Sequence, residues 1–137
     1  MDNDDPITMY LVVPYDLRDL NKGKLCAQVS HAVGYIYTAY YRQKIADAKN
    51  FIGREISLEE EHLMDDWIKN GVRKVVLEAK PAQWEKLKQL EGARTFLVKD
   101  AGHTLLEPGT ETCIGFMPMR KSERPKLLAQ LQTLKGE

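Results

Sequence analysis

Four short apolar runs, separated by stretches of helical periodicity, limit what this chain can fold into. Thr8 to Val13 is mostly apolar and stops at Pro14; Lys74 to Ala79, Thr95 to Val98 and Glu111 to Met117 are the other three. Runs of about 4–8 such residues bounded by turn formers read as strands. From Lys24 to about Gln43, Leu25, Val29, Ala32, Val33, Ile36, Tyr37 and Tyr40 recur at helical spacing. Ser57 with Glu60 three residues later has the form of a capping box and predicts a helix ending near Gly71. Pro81 predicts the first turn of another, with Trp84, Leu87 and Leu90 on its buried side. Glu123 to Leu134 is expected to close the chain as a helix with Leu127, Leu128, Leu131 and Leu134 facing inward. Strands alternating with helices predict an α/β fold, three layers α/β/α, with helices on both faces of a four-stranded sheet. No helix separates the third and fourth strands, so the sheet should be mixed.

A length of 137 residues suits one domain over 1–137, large enough for a core without staples. No apolar stretch approaches the roughly 18 residues of a membrane span. The acidic start, Met1 to Asp5, lacks the layout of a signal peptide. Cys26 and Cys113 make neither a disulfide framework nor a metal spacing, and His31, His62 and His103 add no ligand pattern. The expectation is a cytoplasmic protein with no metal and no membrane partner. Net charge is zero, which argues against a generally basic nucleic-acid binder. The charge is unevenly spread, however. Residues 1–66 carry 7 Lys/Arg against 12 Asp/Glu, a net of −5, and residues 67–137 carry 13 against 8, a net of +5. A basic half can hold a phosphate-binding face, although charge alone is better explained by an ordinary solvated surface.

The chemistry concentrates in two motifs. Lys24, Gln28, His31 and Tyr35 form one stripe down the first helix. Its N-terminal end would present Lys24 and Gln28 beside free N–H groups suited to a phosphate or an oxyanion. Asp100 directly follows a predicted strand, the position where α/β sheets hold ligands, and Gly102 marks a bend that could return Thr104 toward it. Two plainer readings stand beside these: His31 as a partly buried, hydrogen-bonded residue, and Asp100 as the cap of its own Asx-turn. Lys24 at the same sheet end favours a shared site. Pro108 to Thr112 is a weaker signal, since a turn and a strand start explain it. Cys26 and His31 are off one helix face, so a Cys–His nucleophile pair is not expected, and Cys26 reads as a small packing group. No phosphate-binding glycine loop is present.

These residues resemble the second peptidyl-tRNA hydrolase family, the archaeal and eukaryotic type. The matching segments are Gly23, Lys24, Ala27, Gln28, His31 and Ala32; then Asp100, Ala101, Gly102 and Thr104; then Pro108, Gly109, Thr110 and Thr112. The likeness covers roughly residues 8–35 and 72–118, with 41–70 read as a local elaboration. Three features depart from the pattern: Pro14 in place of an arginine, the 16–22 loop, and Met117-Pro118 after the last strand. The resemblance implies hydrolysis of the ester joining peptide to tRNA, no cofactor, and a homodimer. It places Lys24, Gln28, Asp100, Thr104 and Thr112 in the catalytic set, with His31 nearby.

On that basis Asp100 would orient or deprotonate a water, and Lys24, with Gln28, would stabilise the oxyanion or hold the terminal phosphate-ribose. Arg120, Lys121, Arg124 and Lys126 offer a tRNA-binding surface. The rival readings are a catalytically weak RNA- or protein-binding module on the same fold and hydrolysis of another acyl ester or amide.

Overall fold

The computed structural model describes residues 4–102 and 106–135. The chain runs β1 (Ile7–Pro14), α1 (Lys22–Ala48), α2 (Leu58–Lys69), β2 (Lys74–Ala79), α3 (Pro81–Lys88), β3 (Thr95–Lys99), β4 (Glu111–Phe116), β5 (Met119–Arg120), α4 (Lys126–Ala129) and β6 (Gln132–Thr133). Short 3-10 turns lie at Tyr15–Leu17 and Lys121–Glu123.

The sheet is mixed and has six strands rather than four. Its order is β3-β4-β1-β2-β6, with β5 paired to the start of β1. β1 and β2 are parallel from Met9↔Lys74 to Pro14↔Ala79. β4 is antiparallel to both β1 and β3, so β1, β2 and β3 all end on the same side. That shared end is where α1 and α3 begin and where Asp100 follows β3.

Side-chain alternation along β1 divides the core. Met9, Leu11 and Val13 pack with Ala32, Ile36, Met64 and Trp67 of α1 and α2. Tyr10 and Val12 pack with Trp84 and Leu87 of α3 and with Leu128. The capping box of α2 is present: Glu60 N donates to Ser57 Oγ at 3.0 Å and Ser57 N to Glu60 Oε1 at 2.8 Å.

The closing helix is shorter than its leucine pattern suggests. Pro125 stands just before α4, which ends at Ala129. The chain then adds β6 to the edge of β2, and Leu134 N donates to Val76 O at 2.9 Å. Leu128 and Leu131 stay in the α3-side core, whereas Leu134 joins the α1-side core. Edge pairing therefore overrides an amphipathic pattern that one helix would have kept on one face.

The 41–70 segment completes α1 and α2 and locks them together. The Gln43 amide oxygen accepts Glu55 N at 2.7 Å and Ile56 N at 3.2 Å, fixing the connection. Glu61, buried, pairs with Lys44 at 2.9 Å and with Arg54.

Helix α1 lies close on the sheet because β4 has Gly115 beneath it. A Cβ there would sit 3.0 Å from Ile36 Cδ1 and 3.1 Å from Ala32 Cβ. Gly115→Val should therefore overpack this contact and destabilise the protein by about 1–3 kcal/mol. Urea unfolding measures it, and an unchanged midpoint would show that α1 can lift off the sheet at little cost.

Candidate active site

Asn21 caps α1, its side-chain oxygen accepting Lys24 N at 2.8 Å. Lys24 thus sits in the first turn, and its side chain leans back over the helix start, the direction helical geometry favours. There its ammonium donates to Asp100 Oδ1 at 2.7 Å. Only 12% of the lysine side chain and 4% of the aspartate side chain are exposed, so this is a largely desolvated ion pair.

One turn on, Gln28 is buried, and both ends of its amide are engaged. Nε2 donates to Asp100 Oδ1 at 3.1 Å, while Oε1 accepts the Thr112 hydroxyl at 2.6 Å. A carboxylate on one side and a hydroxyl on the other determine which way the amide faces. Thr112, buried at the start of β4, therefore acts on Asp100 through Gln28.

Asp100 is held from its own loop as well. Gly102 N donates to Asp100 Oδ2 at 2.7 Å, which is the Asx-turn the sequence offered as the plainer reading. The carboxylate makes both sets of contacts: one oxygen caps the turn and the other meets Lys24 and Gln28. Backbone bonds from Asp100 N to Thr110 O and from Gly109 N to Asp100 O, each 2.8 Å, close the loop. Gly102 has φ +83°, and a Cβ on it would lie 2.5 Å from Pro108 Cγ. The glycine is needed both for the backbone and for the proline packed against it.

Thr104 and His103 lie outside the described residues. His31 and Tyr35 are exposed on α1. The buried stripe runs from Gln28 to Ala32 to Ile36 in steps of four, because that line faces the sheet; His31 lies off it. Cys26 is exposed, not packed. Burial pushes the Cys113 thiol up to about 12, which leaves it no thiolate for nucleophilic work at neutral pH. Among the described residues no group of three or more His, Cys, Asp or Glu could hold a metal ion, and no helix is long and apolar enough to cross a membrane.

The basic residues divide between the two ends of the sheet. Arg120 pairs with Ile7 and Lys121 N bonds Pro6 O, so they sit at the start of β1, away from Lys24 and Asp100; Arg124 follows them and Lys126 opens α4. A cleft of about 550 Å³ between Ser57, Glu60, Arg94 and Arg120 lies at that same far end. At the Asp100 end stand Lys22 at the start of α1, Lys80 after β2 and Lys99 at the end of β3, all exposed. Arg18 joins them from the turn after β1. Sequence reading passed over these four because they are scattered. Their common feature is the end of the sheet where β1, β2 and β3 finish, which becomes legible only with strand directions known.

A lysine ammonium set in a water-poor corner against an oriented carboxylate can polarise a carbonyl and orient an attacking water. Comparison with known proteins points the same way. The family model described as Peptidyl-tRNA hydrolase PTH2 matches residues 7–134. A peptidyl-tRNA hydrolase of Methanopyrus kandleri is 36% identical over 129 residues, 91% of this chain and 96% of the relative. One from Sulfurisphaera tokodaii is 34% identical over 131 residues, covering 92% and 97% respectively. A third, from Methanocaldococcus jannaschii, is 30% identical over 131 residues, covering 92% and 98%.

Proposed function

The chain belongs to the peptidyl-tRNA hydrolase PTH2 family, and from that premise we propose that Lys24, Gln28 and Asp100, with Thr104 and Thr112, form its catalytic set. The protein is a peptidyl-tRNA hydrolase: it cleaves the ester between peptide and tRNA and frees the tRNA for reuse. The observation that carries the site assignment is the desolvated Lys24–Asp100 pair, 2.7 Å long, at the end where β1, β2 and β3 finish.

In this reading the ester carbonyl lies against Lys24, whose charge stabilises the oxyanion as it forms. Asp100 orients the attacking water and takes up its proton, while Thr112 and Gln28 hold the carboxylate in place. Water attacks directly, so no covalent enzyme intermediate arises. The reaction uses these side chains without a cofactor, in the cytoplasm, on one domain spanning 1–137. A homodimer belongs to the reading too, with exposed Tyr41 and Ile45, one turn apart on α1, offering it apolar area.

The test is hydrolysis of N-acetyl-aminoacyl-tRNA by the purified protein. Cleavage that collapses in Lys24→Ala and in Asp100→Ala supports the assignment. Absence of cleavage with tRNA still bound would favour a binding module instead.

The tRNA contacts next to the ester fall to Arg18, Lys22, Lys80 and Lys99, with His31 further along α1. Arg120, Lys121, Arg124 and Lys126 are left for the tRNA body. Substituting Lys22, Lys80 and Lys99 together by Ser should raise KM several-fold at low salt. It should also flatten the slope of log affinity against log salt by about 0.7–0.9 for each phosphate that is no longer neutralised. A larger loss from the same treatment of Arg120, Lys121 and Lys126 would instead move the reactive end of the tRNA to the far side of the sheet.

A further inference from the structure

At their ends, β1 and β2 send the chain to opposite faces of the sheet. β1 continues through Tyr15–Leu17 to α1, which packs with Met9, Leu11 and Val13; β2 continues through Lys80 to α3, which packs with Tyr10 and Val12. Adjacent parallel strands whose connections part this way leave a crevice between them, where α/β sheets hold ligands. That crevice is present, about 240 Å³, lined by Tyr15 and Trp84, by the carboxylate-bearing Asp16 and Glu85, and by Pro14, Ala79 and Pro81. It opens at the same end of the sheet as Lys24 and Asp100, yet Lys24, Gln28, Asp100 and Thr112 do not line it.

Two aromatic side chains, Tyr15 and Trp84, contribute to its lining. The Arg18 guanidinium lies 3.7 Å from the centroid of the Tyr15 ring and donates from Nη1 to Tyr15 O at 3.0 Å. The ring is thus held in place before any ligand arrives. Trp84 is anchored too: its indole N–H donates to Glu111 Oε1 at 2.9 Å, and Lys88 shares that oxygen at 2.8 Å. The Lys88 ammonium, then the Trp84 N–H, hold the Glu111 carboxyl below its ordinary range, so the anchor stays charged at neutral pH. Asp16 is exposed and makes no hydrogen bond or ion pair among the described residues. As a carboxylate it only accepts, which suits an exocyclic amine. The volume is below the about 300–1,000 Å³ of sites that enclose a drug-sized ligand and suits a single planar ring system.

We propose that this crevice binds one unstacked base of the single-stranded CCA end of tRNA. The proposal rests on the hydrolase reading and adds to it the element that places the ester. The peptide differs from substrate to substrate, whereas the 3′ end is common to all of them and its terminal ribose carries the reacting ester. Adenine and cytosine both bear the amine that Asp16 can accept, and both stack on an aromatic or guanidinium plane.

The experiment is two-dimensional NMR of the whole protein with the trinucleotide CCA as probe. The Trp84 indole N–H should shift on titration while that of Trp67 in the α1–α2 core stays put. The response should vanish in Tyr15→Ala and persist in Tyr15→Phe. On N-acetyl-aminoacyl-tRNA, Tyr15→Ala should raise KM by about 5- to 140-fold, the range of losing one base stack, with Phe restoring it. A Trp84 signal indifferent to CCA, or one shifting equally in Tyr15→Ala, overturns the proposal. So does a Trp84 signal that answers an N-acetyl amino acid ester instead, since the slot would then hold the acyl group. A Trp84 response to CCA in a protein that cleaves no ester would uphold the crevice while removing the reaction assigned to its neighbour.

Discussion

Asp100→Asn should lower turnover of N-acetyl-aminoacyl-tRNA by about 10²–10⁴-fold, the contribution expected of a positioned general base. KM should stay within about threefold, since an interaction made mainly in the transition state is lost from kcat. The reason lies in what surrounds the carboxylate. Lys24 Nζ and Gln28 Nε2 donate to one oxygen and Gly102 N to the other. An amide must place its NH₂ on one side or the other, so every orientation sets a donor against a donor. With the NH₂ toward Gly102 the Asx-turn opens; with it toward Lys24 the ion pair and the Gln28 bond both fail. Steady-state kinetics at saturating and limiting substrate separates the two constants, and normal turnover would remove Asp100 from the mechanism.

Lys24→Ala should cost both activity and stability. Removing a charged donor aimed at the oxyanion is worth about 10²–10³-fold in kcat. The same change takes the ammonium away from an Asp100 side chain that is 4% exposed. Breaking a buried pair from one side costs about 3–5 kcal/mol. Because Gln28 and Gly102 still donate to Asp100, the lower end of that range applies, a fall in Tm of roughly 10 °C. The double variant Lys24→Ala/Asp100→Asn should recover part of the lost Tm, since no uncompensated charge remains, while kcat stays low. Recovery of Tm with recovery of kcat would make the pair structural. The kinetic split also decides between two roles for Lys24: a fall in kcat marks the oxyanion contact, and a rise in KM alone marks a hold on the phosphate-ribose.

The motif residues were legible because their signals are local. Gly102 reads as a bend just after a strand, and Lys24 and Gln28 fall one turn apart at the start of a helical period. Lys80 and Lys99 gave no such signal. Each is an ordinary surface lysine until its strand is known to finish at the same end of the sheet as Asp100.

Local order alone dictated β1 to β4, the capping box of α2 and the proline start of α3. These follow from side-chain period and from how backbone N–H groups are satisfied within a few residues. Tertiary structure decided the rest. The two-residue strands β5 and β6 have no period of their own and exist only as partners of β1 and β2. The sheet's cover over Gln28, Ala32 and Ile36, and not over His31, selected one of two stripes that the spacing of α1 allows. Strand order β3-β4-β1 brought Lys24 to Asp100 across 76 residues of chain and left Arg120 at the other end. Pairing between distant strands is a choice among non-local contacts of similar chemistry, and burial of the whole sheet makes it.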